Sequence, residues 1–546
     1  MSGNTYISQG IILDFSVTIF LMTAFLGIWT TFDSGTGILL FILMLVGFAI
    51  AYIINLLSPK SLELTLNLIG GYANALVLYF LLSNDWTLLP ADIEAIDMIG
   101  KHWMRIRPEL SLPAIHPNMV AGVLAAFFPL LTATVLRSRK RNLTVGSLIS
   151  WLSIVFVAVG LVMTSSRAAW FVLMIGLFVW LIFEVMQFSI LRNKLLISIV
   201  LAILISSLVL VFLAGIAILN SQDGIVTGSF NSRQELARNS WDLAKDFIWT
   251  GGGLGAFAGL YSSYILLIPV PFFFYSHNLY LDILIEQGIF GILAWIVILI
   301  VSLGLLFQVI CENETHPRNS SWLVLPVLAG LLIITVHSLV DNPFYAPWGR
   351  PLIGLFLGLA SAVSKHAVKN IRVPSIVIWL GAIMLTLIPV LRLFYKPLAA
   401  SWQVNIGSVQ MAKLQLNNWP TGMWQTAKQE VKLTPVQTRM QRVLELDPGN
   451  FSAHYRLGLI ALQTQDYSSA IEHLQIAHIQ APDHRGITKA LGYSYLWSLD
   501  IVPGLELLDQ IPEAASELDL FSWWWDIQGY PELARVASDT AQMLSK

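Results

Sequence analysis

The stretch that decides the fold is SHNLYLDILIEQGIFGILAWIVILIVSLGLLFQVIC, residues 276–311. A histidine, His277, stands just ahead of a long apolar run, and two glycines, Gly288 and Gly291, follow about three helical turns later if the segment is helical. An apolar run of this length crosses a bilayer. A titratable imidazole at its mouth reads as the active-site corner of a membrane enzyme.

The rest of the chain agrees with a membrane setting. It has 546 residues with only 12% charged, a mean hydropathy of +0.70, and a charged share about half the ~25% of a soluble domain. The expected fold is all-α, a polytopic membrane protein with about eleven spans, near 11–30, 36–57, 66–83, 117–136, 143–163, 168–188, 195–219, 288–310, 322–340, 350–364 and 373–393. The N-terminus carries no basic cluster or cleavage site before Trp29 and reads as an uncleaved first span. A net charge of -2 offers no basic field for nucleic acid. The single cysteine, Cys311, excludes an intrachain disulfide and a cysteine-rich metal centre.

Lys/Arg clusters set the orientation. Arg137 to Arg141, Arg192 with Lys194, and Lys365, Lys369 and Arg372 fall in connections of one parity, which is therefore cytoplasmic, with the N-terminus inside. The opposite loops, 84–116, Ser165-Ser166-Arg167, 220–277 and Asp341–Gly349, carry Trp, Tyr, Pro, His and isolated Arg, as expected where residues meet a ligand or the interface. An odd span count places everything after residue 393 outside as well.

Near residue 400 the character changes. Acidic against basic residues number 18 to 21 up to residue 400 and 15 to 10 beyond it. The expected division is a membrane domain over 1–394, with a core near 110–360 and the outward loop 220–277, and a helical-repeat domain over 395–546. Counting from Phe451, a 34-residue register puts Leu457-Gly458, Ala461, Tyr467, Ala470, Leu474, Ala477 and Pro482 on the tetratricopeptide pattern. The next register repeats Leu491-Gly492, Tyr495, Leu508 and Ile511. Leu444 to Pro448 closes an earlier repeat, and Trp523-Trp524-Trp525 reads as a cap or a membrane-facing patch. Such stacks bind peptides or partner proteins.

The candidate chemistry lies on the outward side. Ser232-Arg233-Gln234-Glu235 has the capping-box pattern and predicts an amphipathic helix with Arg233 in its first turn, a candidate anion site or an exposed surface arginine. Arg167 in its short corner either snorkels or faces a polar cavity as a fixed cation. His116, His277 and His337 stand at span ends on one face, either as interfacial residues or as bases, since an imidazole accepts a proton near neutrality. His337 and Asp341 have the i, i+4 spacing that orients an imidazole if the helix continues, although Asp341 reads equally as the start of the turn before Pro343. Gly251-Gly252-Gly253-Leu254-Gly255 lacks a phosphate loop's lysine and reads as a helix stop and hinge. No metal-ligand spacing and no nucleotide loop are found, so no cofactor is expected and the energy for a reaction comes from the substrate.

These residues resemble the O-antigen ligase-like membrane glycosyltransferases, which include O-antigen ligases, O-antigen polymerases and protein O-oligosaccharyltransferases. His277-Asn278, nine residues, then Gly288-Ile289-Phe290-Gly291 fits that family's signature throughout. His116-Pro117-Asn118, Ser166 to Trp170, the Arg233 helix running into Gly251 to Phe257, and His337 to Asp341 look like further landmarks. The outward loop before His277, with Pro269, Pro271 and Phe272 to Phe274, departs from it and leaves the acceptor open. The resemblance implies a GT-C-like membrane enzyme of the bacterial cytoplasmic membrane, with the repeats an accessory seen on some members. It implies an oligosaccharide donor on undecaprenyl pyrophosphate, used without metal, and a glycan, lipid or protein acceptor. In that setting His277 is the general base, and Arg167, Arg233, Asn278, His337 and His116 contact substrate. Ligase and polymerase differ only in acceptor. A transporter or assembly scaffold is the alternative of another class, as in cyanobacterial relatives associated with inorganic carbon uptake.

Overall fold

The computed structural model describes residues 6–91, 93–139, 145–187, 224–312, 321–365, 370–372, 395–420 and 433–545. The expected spans at 195–219 and 373–393 lie outside the described residues. The fold is all-α apart from two three-residue strands, β1 (Tyr6–Ser8) and β2 (Asn370–Arg372), which pair antiparallel.

The first seven helices are α1 (Gln9–Thr30), α2 (Ser34–Leu56), α3 (Pro59–Ser83), α4 (Glu94–Ile106), α5 (Pro117–Arg139), α6 (Val145–Met163) and α7 (Arg167–Gln187). They are followed by α8 (Gly224–Asp246), the short α9 (Phe257–Tyr261), α10 (Leu279–Glu312), α11 (Val324–His337) and α12 (Arg350–Ser364). Among the described residues six helices are long and apolar enough to cross a membrane: Gly10–Thr30, Ser34–Leu56, Ser61–Ser83, Pro117–Arg137, Arg167–Glu184 and Leu279–Ile310. Leu148–Met163, Val324–His337 and Arg350–Ser364 are shorter apolar helices packed among them. The protein is thus a multi-pass membrane protein with an all-helical core.

Polarity along the helices separates two ends. The helix α5 begins at the His116-Pro117 corner and reaches Arg137, whose Nε lies 2.7 Å from Glu63 Oε1 near the start of α3. At ~1.5 Å per residue its 23 residues span about 35 Å, a bilayer's thickness. The Arg137 guanidinium also stacks 4.4 Å over Trp322. The candidate residues gather at the other end.

Beyond the membrane helices come α13 (Tyr395–Gln415), α14 (Thr434–Leu446), α15 (Phe451–Gln463), α16 (Tyr467–Gln480), α17 (Arg485–Trp497), α18 (Ile501–Leu508), α19 (Ala514–Ile527) and α20 (Pro531–Leu544). They stack as helical pairs, α15 on α16, α17 on α18 and α19 on α20. The pairing repeats in detail: a Cβ on Gly458 would come within 2.5 Å of Leu474, and one on Gly492 within 2.7 Å of Leu508, positions 34 residues apart in each case. Only glycine lets the two helices of each pair approach so closely. Of the tryptophan triplet, Trp524 and Trp525 are buried in the core of the last pairs, whereas Trp523 is 61% exposed.

This domain does not hang free. Arg456, 0% exposed, places Nη2 2.5 Å from Asp246 Oδ2 at the end of α8 and lies 3.8 Å over the Tyr264 ring. Tyr455 and Lys489 donate to the backbone oxygens of Tyr264 and Leu266, at 2.6 and 2.5 Å. Asn405 Oδ1 accepts from the backbone N–H groups of Trp249 and Thr250. The helical domain therefore sits on segment 246–267, at the end of the bundle where the candidate residues lie.

Candidate active site

The signature stretch folds as two helical pieces joined at a tight point. Ser276, His277 and Asn278 form the turn into α10, with His277 at φ +54°, a left-handed conformation rare outside glycine. Asn278 caps the helix: its Oδ1 accepts from the backbone N–H groups of Tyr280 and Leu281, and its Nδ2 donates to Leu339 O. Its polar atoms are thus engaged in holding the turn.

Ten residues on, Gly288 interrupts the helix at φ 73°, ψ -172°. A loop docks there. Ile289 N donates to Ile248 O at 2.7 Å, Gly252 N to Ile285 O at 2.6 Å, and Gly253 N to Glu286 O at 3.2 Å. Gly251, Gly253 and Gly255 have positive φ, and the segment is largely buried. The expected hinge is instead a close-packed loop, because the missing side chains let its backbone lie directly on α10. The helix α8 starts at Gly224, which corrects a second expectation. Ser232 is interior rather than a cap, and Arg233 stands mid-helix, away from any N-terminal field of unpaired N–H groups.

A cavity of about 380 Å³ gathers His116, Asn118, Arg233 and His277, with Asn84, Trp86, Thr164 and Ser165 on its walls. Its apolar rim includes Leu88, 78% exposed, and Phe273, whose neighbours Phe272 and Phe274 face outward. His277 is paired: Nδ1 lies 3.3 Å from Asp341 Oδ1, and Asp341 is buried. Facing a carboxylate, Nδ1 carries the proton and donates, leaving Nε2 as the acceptor. The same carboxylate oxygen accepts from Asn342 N at 2.9 Å. Asn342 in turn bonds Asp282, which accepts from Ser276 N at 2.8 Å. The imidazole is therefore anchored through both its carboxylate and its own turn.

Electrostatics fit this arrangement. Burial pushes the Asp341 carboxyl up, but the hydrogen bond from His277 and the charges of His277 and His337 outweigh it and hold the group below the usual carboxylate range. Desolvation lowers the His116 imidazole, and the nearby His277 and Arg233 push the same way against the pull of Asp341.

Of the residues expected from sequence, His116, Arg233 and His277 converge on this cavity. Arg167 does not line it; it opens α7 two residues past Ser165 with an exposed side chain. His337 is buried behind the site, in electrostatic reach of Asp341 and Arg233, and neither ring nitrogen has a hydrogen-bond partner among the described residues. The helix α11 ends at His337, so the i, i+4 spacing does not give Asp341 to that imidazole; the carboxylate serves His277 across 64 residues instead. Sequence reasoning missed Asn84 and gave Ser165 no role.

Among the described residues no group of three or more His, Cys, Asp or Glu is placed to hold a metal ion. Residues 152–296 match the family described as O-antigen ligase, which takes in α7, α8, the glycine loop, His277 and Gly288-Ile289-Phe290-Gly291. No curated protein matches the chain.

Proposed function

We propose that the chain, whose residues 152–296 match the O-antigen ligase family, transfers an oligosaccharide from undecaprenyl pyrophosphate to an acceptor hydroxyl at the outer face of the bacterial cytoplasmic membrane. One observation carries the reading: three distant segments bring a carboxylate-paired imidazole, His277, and a fixed cation, Arg233, into a single cavity. That pair of groups is what glycosyl transfer from a pyrophosphate requires.

In this mechanism His277 Nε2 takes the proton from the acceptor hydroxyl as its oxygen bonds to the anomeric carbon. The bond from that carbon to the phosphate oxygen breaks, and its electron pair leaves with undecaprenyl pyrophosphate. Arg233 meets the charge developing on the leaving group. Asp341 stabilises the imidazolium formed and fixes its tautomer. The apolar rim with Leu88 and Phe273 faces the lipid from which the polyprenyl chain enters.

The same reading takes the membrane domain as about eleven spans and the C-terminal helical pairs as tetratricopeptide-type repeats on the outer side. The repeated Gly458–Leu474 and Gly492–Leu508 approaches support the repeat type, and the docking on segment 246–267 supports a common side with the cavity. The test is purified protein supplied with an undecaprenyl-pyrophosphate oligosaccharide. Release of undecaprenyl pyrophosphate with transfer is expected, abolished in His277→Ala and Arg233→Ala proteins of unchanged abundance. Full transfer by either variant refutes that residue's role, and solute flux without lipid release refutes the reaction.

A further inference from the structure

The cavity has a second wall with a different chemistry. Asn84 follows α3 and Ser165 follows α6. These helices pack so closely near their outer ends that a Cβ on Gly160 would come within 2.5 Å of Val77. Both residues line the cavity. Asn84 is 1% exposed and Ser165 4%. Neither amide atom of Asn84 and not the Ser165 hydroxyl has a hydrogen-bond partner among the described residues.

This is not loose structure. Asn84 N donates to Phe80 O at 2.9 Å, and Asn84 O accepts from Arg107 Nη1 at 2.8 Å, so the backbone is pinned while the amide stays unspent. Ser165 is held at φ +54°. The adjacent Thr164 hydroxyl, by contrast, is spent on Leu161 O at 2.6 Å. Buried polar atoms are normally satisfied, and three unsatisfied ones on two residues that line one cavity point to a ligand that satisfies them.

The donor and acceptor inventory identifies that ligand's chemistry. An amide offers two N–H donors and a carbonyl acceptor, and a hydroxyl offers both. Pyrophosphate oxygens only accept, which leaves the Asn84 carbonyl oxygen unanswered; Arg233 on α8 answers phosphate instead. Sugar hydroxyl and acetamido groups both donate and accept. We propose that Asn84 and Ser165 form the sugar-reading wall, hydrogen-bonding the donor sugar next to the pyrophosphate and selecting which glycan the protein accepts. The proposal rests on the lipid-linked donor reading above.

The experiment measures affinities of the full-length protein in detergent for undecaprenyl pyrophosphate without sugar, and for the same lipid carrying one glucose, galactose, N-acetylglucosamine or N-acetylgalactosamine. Wild type binds at least one sugar-bearing lipid more tightly than the bare one. Asn84→Ala and Ser165→Ala each weaken the preferred glycolipid about tenfold and leave the bare lipid unchanged, as expected for lost neutral hydrogen bonds. Arg233→Ala weakens both. Equal weakening of bare and sugar-bearing lipid in the alanine variants, unchanged affinity in both variants, or a wild type that prefers no sugar overturns the sugar-reading wall while the donor reading stands. A wild type that binds none of these lipids overturns the donor reading itself. Ser165→Ala removes one oxygen from a fixed turn, so it decides the matter even where Asn84→Ala does not fold.

Discussion

Replacing Gly288 by alanine tests why the first glycine of the signature is a glycine. Gly288 sits at φ 73°, ψ -172°, a region essentially reserved for glycine, and an alanine there costs about 1–3 kcal/mol in backbone strain. Its Cβ would also collide with the Trp249 carbonyl, 2.7 Å from the carbonyl carbon and 2.9 Å from Gly251 N. Overpacking of that kind adds about 1–3 kcal/mol, for a total near 2–6 kcal/mol. Relief requires the loop to leave α10, which sacrifices the bonds from Ile289 N and Gly252 N. Gly304, on the same helix with nothing within 4 Å of its Cβ, is the internal control. There alanine gains about 1 kcal/mol of helix propensity at most. Thermal unfolding of purified variants in one detergent reads the difference: Gly288→Ala melts well below wild type, and Gly304→Ala at or above it. Equal melting of all three proteins refutes the docked-loop argument.

Further outcomes follow from the pairings at the site and at the domain junction. Asp341→Ala frees the His277 ring and lowers kcat by roughly 10²- to 10⁴-fold, the range of a lost acid–base contribution; kcat within twofold of wild type in a transfer assay refutes the pairing. Because the Asp341 carboxyl is held below its ordinary value, near 3.9 when unfolded, its contribution to stability is present above that value and lost only as pH falls through the lowered one. In acid, below about pH 4, wild type is therefore expected to lose melting temperature more steeply with falling pH than Asp341→Asn, which has no carboxyl to protonate there; parallel melting curves in that acid range contradict the assignment. Asp246→Ala leaves the buried Arg456 guanidinium without its carboxylate, a loss of about 3–5 kcal/mol. Limited proteolysis is expected to release the helical domain from this variant faster than from wild type, and an unchanged digestion rate counts against the junction.

What the sequence made legible is what depends on local pattern. The His277 to Gly291 spacing, the apolar runs and the 34-residue register are periodic or contiguous; among the described residues the first reappears as a turn and a helix, six long apolar helices are found, and the register positions fall in stacked helical pairs. Arg233 was legible as a residue but not in its setting, because a capping-box pattern does not reveal a helix already running from Gly224. The Asp341 partner of His277 lies 64 residues away, and local spacing pointed to His337 instead. Asn84 carries no local mark at all: its importance comes from being buried without a partner, which only tertiary packing creates. Trp524 and Trp525 look like Trp523 in sequence, and only the stacking of α19 on α20 distinguishes core from surface.

The junction between the helical pairs and α8 has a thermodynamic consequence. Arg456 holds Asp246 on the helix that carries Arg233, and Arg485 pairs with Glu235, two positions from it. Linkage between two sites is reciprocal. A molecule that favours the docked arrangement when it binds the helical pairs also tightens the hold of Arg233 on its ligand, and a filled cavity returns the same factor to the helical pairs. Coupling of one or two kcal/mol, about five- to thirty-fold in affinity, would make the occupancy of each surface a report on the other.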